Sequence, residues 1–410
     1  MLREFDLDSL QGTAAYFVKA FDKVTQYLLS LDPDRLLAGF KAVAEGKDPQ
    51  TEAKLNLYGG WEDRWSLLRG HTMGHYLTAL AQAYRQTRRG KQDINELLAA
   101  RINYTVGQLK ACQDRSSTGY LFASPETHFD VVEGKRTGQQ WVPWYTMHKI
   151  MAGLVNVHKY TGNQEALEVA AKLGDWAYAR TSRWDQDLQR RVLKVEYGGM
   201  NDVLYELYEY TKKPEHLAAA HKFDEDDLFA AIAEGKNVLV NKHANTQIPK
   251  FIGALHHYRL LGEAAAFYYQ AARAFWEIVI RDYTYVTGGN SQSEHFRQPG
   301  ALDATRDNLN NETCNAYNML LLTRELFKLS ADVKYTNFYE RAFFNEIMAS
   351  LNPETGMTTY FKPMGTGYFK AFATPTESFW CCTGTGMENF TKLNDSIYFH
   401  TDTDLYVNLY

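Results

Sequence analysis

Residues 379–389 read F-W-C-C-T-G-T-G-M-E-N and set two cysteines side by side in a chain of 410 residues that has only four. Adjacent cysteines are poor disulfide partners, because the small ring they close departs from ordinary bridge geometry. Cys381 and Cys382 therefore need another explanation. A third cysteine, Cys314, follows Glu312 in the triplet E-T-C. One carboxylate and three thiolates make a plausible tetrahedral zinc set, since zinc accepts sulfur and carboxylate oxygen together. The spacing is unlike that of zinc fingers, which pair cysteines two to four residues apart. The plainer alternative stays open at this point: buried cysteines acting as small apolar residues. Cys112, in QLKACQD, fits that alternative.

Other groups with chemical potential lie in segments without helical period. Glu294 sits in TGGNSQSEHFRQPG, where a carboxylate is either solvated or at work. His148 follows VPWYTM at the start of a helix. His243, in KHANTQIPK, marks a loop entering a helix. His71 and His75, four apart in GHTMGHYL, share one helix face, but the glutamate of an HExxH zinc protease is missing. The chain has no GxSxG elbow, no phosphate-binding P-loop and no GxGxxG between a strand and a helix. Gly384-Thr385-Gly386 lacks the third glycine and the βαβ setting.

Helices must position these groups. Apolar residues recur at steps of three and four in 72–86, 148–160, 164–179, 202–210, 248–261, 263–281, 316–329 and 334–350. Punctuation such as Tyr160-Thr161-Gly162 ends several of them, and a second amphipathic helix follows each. The unit is a helix hairpin recurring about every 50–75 residues, a repeat-like spacing. Long loops at 55–71, 114–147, 194–201, 283–313 and 355–389 separate the hairpins. Loops of that length in a compact domain are functional or disordered, and these are too rich in Trp, Tyr and Gly for disorder. Hairpins closed into a ring with loops at one mouth predict an all-α toroid with a concave site. The end of the chain differs. SIYFHTDTDLYVNLY alternates apolar and polar residues around a turn at 401–404 and predicts a β-hairpin. A domain rarely ends on an unpaired strand, so a longer natural protein is expected. The expected organisation is a helical domain over 1–392 and the start of a β region over 393–410.

Composition sets limits. A formal charge of −5 suggests neither a nucleic-acid nor an anionic-membrane partner. Four cysteines are too few for a disulfide framework. The N-terminus MLREFDLDSLQG lacks the basic and apolar regions of a signal sequence, and no run is long and apolar enough for a bilayer, so a soluble, cytoplasmic protein is expected. Twenty-seven Tyr, 22 Phe and 8 Trp fit a large core. They also fit a cleft in which flat rings stack on sugars.

The segments YLLSLDPDRLL, YGGWE, GHTMGHYLTALA, VPWYTMHKIMAGL, HANTQIPKFIGA, NNETCNAYNML and FWCCTGTGMENFTKL, in this order, resemble glycoside hydrolase family 127, whose best-known activity is β-L-arabinofuranosidase. The resemblance runs from about residue 26 to the end. It implies an (α/α)6 toroid followed by β-sandwich domains, and a carbohydrate substrate. It implies Cys381 as the nucleophile of a retaining, exo-acting glycosidase, and a zinc ion held by Glu312, Cys314, Cys381 and Cys382. It implies Glu294 as acid/base, with His148 and His243 near the sugar. Glu340, in NFYERAFFNEI, is counted with the substrate-binding residues and, beside Glu388, as the next carboxylate for the acid/base role. Three alternatives remain: a glycosidase of the same fold for another sugar; a non-catalytic carbohydrate-binding toroid with structural zinc, since complete four-ligand zinc sites are usually structural; and an inactive fragment, if a further β region is needed to close the cleft.

Overall fold

The computed structural model of the chain describes residues 1–409; Tyr410, the last residue of the expected hairpin, lies outside them. Helices dominate. In chain order they are α1 (Ala15–Ser30), α2 (Pro33–Ala44), α3 (His71–Thr87), α4 (Gln92–Gln113), α5 (Thr127–Val132), α6 (Pro143–Thr161), α7 (Gln164–Thr181) and α8 (Gln186–Leu193). There follow α9 (Met200–Thr211), α10 (Pro214–His221), α11 (Asp226–Ala233), α12 (Ala244–Leu261), α13 (Ala266–Tyr283), α14 (Thr313–Ser330), α15 (Val333–Ala342) and α16 (Cys381–Phe390). Their ends carry the expected signals. Asp32, Asn163 and Asp185 accept backbone N–H bonds at the starts of α2, α7 and α8. Gly162 closes α6 in the left-handed conformation.

The described chain divides into two compact units, Met1–Val24 with Glu225–Ala373 and residues 392–409, and Thr25–Asp224 with Thr374–Thr391. In the second unit α3 lies against α6 with backbones almost touching. A Cβ on Gly74 would lie 1.9 Å from the Lys149 carbonyl oxygen, and one on Gly153 would lie 2.6 Å from that of Gly74. Only glycine permits this approach. Trp144 of α6 meets Phe129, Trp176, Trp184 and Phe223 in ring contacts, which makes an aromatic core. Helix α16 packs on α3.

In the other unit α12 packs on α13 and α14, with Phe251 and Phe275 stacked at 4.0 Å. The expected C-terminal hairpin is present. β2 (Tyr398–His400) and β3 (Leu405–Val407) pair antiparallel, and Thr401 N–H bonds the Asp404 carbonyl across the turn. A third strand not foreseen from the sequence, β1 (Arg3–Glu4), pairs with β2 in the register Arg3 to His400.

Three expectations change, the first being the loop expected over 114–147, which holds α5 and the first turn of α6. The segment 355–389 is not all loop, because its last residues form α16, buried at every position. Gly384, Gly386 and two threonines give CCTGTGMENF little helix propensity, and burial on all sides leaves no amphipathic stripe to read. The helix expected over 334–350 is α-helical only to Ala342, then passes through a π turn over Phe343–Ile347 and a 3-10 turn over Met348–Ser350. Among the described residues no helix is long and apolar enough to cross a membrane.

Candidate metal centre and active site

Three of the four cysteines stand in the first turn of a helix. Cys381 and Cys382 open α16, and Cys314 is the second residue of α14, directly after Glu312 and Thr313. Unpaired backbone N–H groups and the positive end of the helix dipole favour thiolate at such positions. The ligand atoms of Glu312, Cys314, Cys381 and Cys382 all lie within 4.8 Å of one another, and all four residues are buried. The Sγ atoms of Cys381 and Cys382 are 3.9 Å apart, and all four cysteines are free thiols. Zinc–sulfur bonds of about 2.3 Å at tetrahedral angles set sulfur atoms about 3.8 Å apart. Three soft thiols and one carboxylate at this spacing therefore fit a zinc ion. Cys112 is buried on α4 outside the cluster.

The Glu312 side has its own framework. Thr313 N–H bonds the Tyr360 carbonyl, and its hydroxyl donates to the Thr359 carbonyl and accepts from Lys362 Nζ at 3.0 Å. Lys362 also lies 3.2 Å from the fully buried Glu346 carboxylate. Burial raises the pKa of Glu346, and Lys362 partly offsets this.

Glu294 is placed by a strained loop. Ser291, Ser293 and Glu294 all have positive φ (75°, 46° and 65°), a backbone state that side chains other than glycine adopt rarely. Backbone bonds from Ala244 N–H to the Glu294 carbonyl and from Phe296 N–H to the Lys242 carbonyl hold the loop to the start of α12. His243 caps that helix: its Nδ1 accepts from Thr246 N–H at 3.3 Å. The ring proton therefore sits on Nε2, 3.6 Å from Glu294 Oε2. The Tyr360 hydroxyl donates to Glu294 Oε1. Hydrogen bonding to His243 is the main force holding the Glu294 carboxyl below the usual carboxylate range. Burial opposes it, and the Tyr360 bond and the His295 ring add to it.

His148 lies in the second turn of α6 rather than at its start. Gly199 N–H donates to its Nδ1 at 3.1 Å, which puts the proton on Nε2. Added Cβ atoms on Gly198 and Gly199 would lie 2.6 and 3.0 Å from the ring. Burial, then the charge of Lys149 and the His75 ring, push the His148 pKa well down, so the ring is neutral. His75 on α3 hydrogen-bonds the Glu388 carboxylate of α16, and burial lowers its pKa to about 4. Glu388 thus pairs with a histidine of the neighbouring helix. Glu340 is half-buried on α15.

The family described as Beta-L-arabinofuranosidase, GH127 catalytic domain, matches residues 11–395. The chain belongs to this family. A non-reducing end beta-L-arabinofuranosidase of Bifidobacterium longum is 24% identical over 302 residues, 72% of this chain and 38% of that protein. The chain thus spans well under half the length of this curated relative. A GH127 beta-arabinofuranosidase structure matches with a TM-score of 0.75 at 17% identity, covering 100% of this chain and 64% of the other. The GH127 beta-L-arabinofuranosidase structure from Geobacillus stearothermophilus gives a TM-score of 0.68 at 17% identity, covering 100% of this chain and 67% of that one. These likenesses show the fold class, the helical toroid with a few C-terminal strands that the sequence predicts.

Sequence reasoning missed Tyr360, which bonds Glu294, and Lys362, which reaches Thr313 and the buried Glu346. Tyr360 and Lys362 stand in MTTYFKP, which has neither helical period nor a ligand-type spacing, so only the length of the loop marked it.

Proposed function

We propose that this chain is the catalytic part of a retaining, exo-acting β-L-arabinofuranosidase. Cys381 is its nucleophile, Glu294 its acid/base, and Glu312, Cys314, Cys381 and Cys382 hold zinc. The observation that carries this reading is the buried four-residue cluster in a chain of the GH127 catalytic-domain family. A bound zinc ion supplies a fixed positive charge that keeps the thiols deprotonated and oriented.

The protein's own groups then account for both displacements. The Cys381 thiolate attacks the anomeric carbon as the glycosidic C–O bond breaks, and the Glu294 carboxyl gives its proton to the departing oxygen. A thioglycoside to Cys381 results. Glu294, now ionised, takes a proton from water, whose oxygen attacks the same carbon; the C–S bond breaks and the thiolate returns. Two inversions leave the anomeric configuration unchanged. The low pKa of Glu294 suits the base step. A negative charge on Cys381 pushes the other way and favours the protonated acid needed first. His148, a neutral ring with its proton on Nε2, and His243, which presents its Nε2, are suited to hydrogen-bond sugar hydroxyls.

The test is direct. Purified protein should hold about one zinc per chain and release L-arabinose from β-L-arabinofuranosides, with the β-anomer seen first by NMR. An inverted product, or activity that survives complete removal of zinc, would count against this reading. A complete four-ligand set is also the usual pattern of a structural site, which favours a second reading: a sugar-binding toroid without catalysis. Sugar binding with no hydrolysis of any glycoside would select it.

A further inference from the structure

Four of the eight tryptophans, Trp144, Trp176, Trp184 and Trp276, are buried in the core. Three others are different: Trp61, Trp141 and Trp380 come from three separate segments, and Trp61 meets both of the others. The ring centroids of Trp61 and Trp141 are 5.7 Å apart at 75°, and those of Trp61 and Trp380 are 6.1 Å apart at 83°. Trp141 is 51% exposed and Trp380 37%. Single exposed apolar side chains are ordinary, but indole rings grouped at the surface mark a binding site.

Trp61, at the centre of the group, is held in place. Trp61 packs on its inner side against Leu68, Val142 and Tyr145. Its backbone N–H bonds the Phe379 carbonyl, and Gly59 N–H bonds the Thr376 carbonyl, so the two loops run together. Glycine is required there: Gly60 has φ +61°, and a Cβ on it would lie 2.7 Å from the Phe379 nitrogen. The next residue, Glu62, is buried and accepts from Gly70 and Thr72 N–H, both at 2.9 Å, at the start of α3. Rings fixed before a ligand arrives lose little entropy on binding it.

Position identifies the ligand. Trp380 is the N-cap of α16, and its carbonyl accepts from Thr383 N–H. The next residue is Cys381, which is 3% exposed. An exo-acting enzyme encloses the sugar it releases at the buried thiol, so whatever else the substrate carries must project toward solvent. We propose that Trp61, Trp141 and Trp380 form a platform that stacks on the sugar of the leaving group, next to the scissile bond. This rests on the glycosidase reading above. Sugar rings present flat C–H faces, and an indole face covers one while the hydroxyls stay in water.

The experiment uses the full chain and compares two substrates, an L-arabinofuranosyl-β-L-arabinofuranose disaccharide and methyl β-L-arabinofuranoside. Trp141→Ala should raise KM for the disaccharide about tenfold and leave KM for the methyl glycoside within twofold. Trp141→Phe should recover most of the loss. An unchanged disaccharide KM, or an equal rise for both substrates, overturns the platform. So does loss of a dimer in Trp141→Ala by sedimentation with kinetics unchanged, because the rings would then serve a contact between copies. In those cases the parent enzyme still cleaves both glycosides and the glycosidase reading stands. A parent protein that cleaves neither overturns that reading and the platform with it.

Discussion

At the residue scale, the proposed mechanism divides the chemistry between thiols in helix first turns and a carboxylate on a strained loop. Cys381→Ser should lower turnover at least about a thousandfold, because an alcohol near neutral pH is a far weaker nucleophile than a thiolate. Cys382→Ser should keep measurable turnover, since three ligands remain for the metal. A haloacetyl-bearing L-arabinofuranose analogue should label the peptide that contains Cys381; mass spectrometry that maps the adduct to Cys382 reverses the assignment. Glu294→Gln should slow poor leaving groups by about 10²–10⁴ and activated nitrophenyl glycosides much less, because a good leaving group needs little proton assistance. Azide should then restore turnover with retained configuration. Equal losses on both substrates would pass the role to another carboxylate. Of the candidates named from the sequence, Glu388 is paired with buried His75, which leaves Glu340 as the next to test.

At the element scale, α16 is the piece that carries both adjacent thiols, and its seat on α3 depends on Gly384. A Cβ there would lie 2.2 Å from Cδ2 of His75, whose ring is fully buried and tied to Glu388. With the ring unable to give way, Gly384→Ala must shift α16 itself. The expected result is a loss of about 1–3 kcal/mol from overpacking together with reduced zinc content. Gly107→Ala is the control: on α4, with nothing nearer than Glu165 at 3.8 Å, it should raise the melting temperature slightly, since alanine outranks glycine in a helix. Equal melting of the two variants by circular dichroism would show that the contact has slack. The same element shows what a sequence can disclose. Apolar periodicity predicts eight segments that overlap α3, α6, α7, α9, α12, α13, α14 and α15; α7, α13 and α15 alternate buried and exposed positions, whereas α3 was legible although it has no exposed residue. α16 has no outside face. α4 has only a narrow row, Leu98, Ile102, Val106 and Leu109, shared with inward-facing Asn95, Thr105 and Gln113. The four clustered residues stood out in the sequence by the rarity of cysteine and by the E-T-C and C-C pairs, a pattern that suited buried apolar cysteines equally well. Tyr360, Lys362 and the tryptophan platform depend on pairings between distant loops, which no local pattern encodes.

At the scale of the whole molecule, the two ends of the described chain are fastened to the helix that bears Cys314. Leu2 N–H bonds the Lys328 carbonyl on α14, and Glu4 accepts from Ser396 N–H at 2.6 Å. Arg324 of α14 reaches Asp395 at 2.9 Å and Glu4 at 3.9 Å. Beside it, Glu325 is held by Lys328 at 3.0 Å and Arg259 at 3.2 Å. Burial alone would raise the Glu325 pKa, but Lys328, Arg259 and Arg324 outweigh it and keep the carboxyl well below its usual range. The sign of the pH effect follows from linkage. Between the folded and unfolded pKa values the unfolded chain binds the extra proton, so stability rises with pH there. The contribution is complete above an unfolded value near 4.5 and is lost as pH falls below it. Glu325→Gln removes the charge and leaves three cations short of an anion, at a cost of about 3 kcal/mol near pH 7. Melting curves of the parent and the variant should therefore lie furthest apart above pH 5 and converge as pH drops toward 3. Zinc content at pH 7 should stay the same in both, because the substitution lies three turns along α14 from Cys314. A gap in melting temperature that stays constant from pH 7 to pH 3 would mean that Glu325 acts through its shape alone and that its charge does not hold this end of the molecule together.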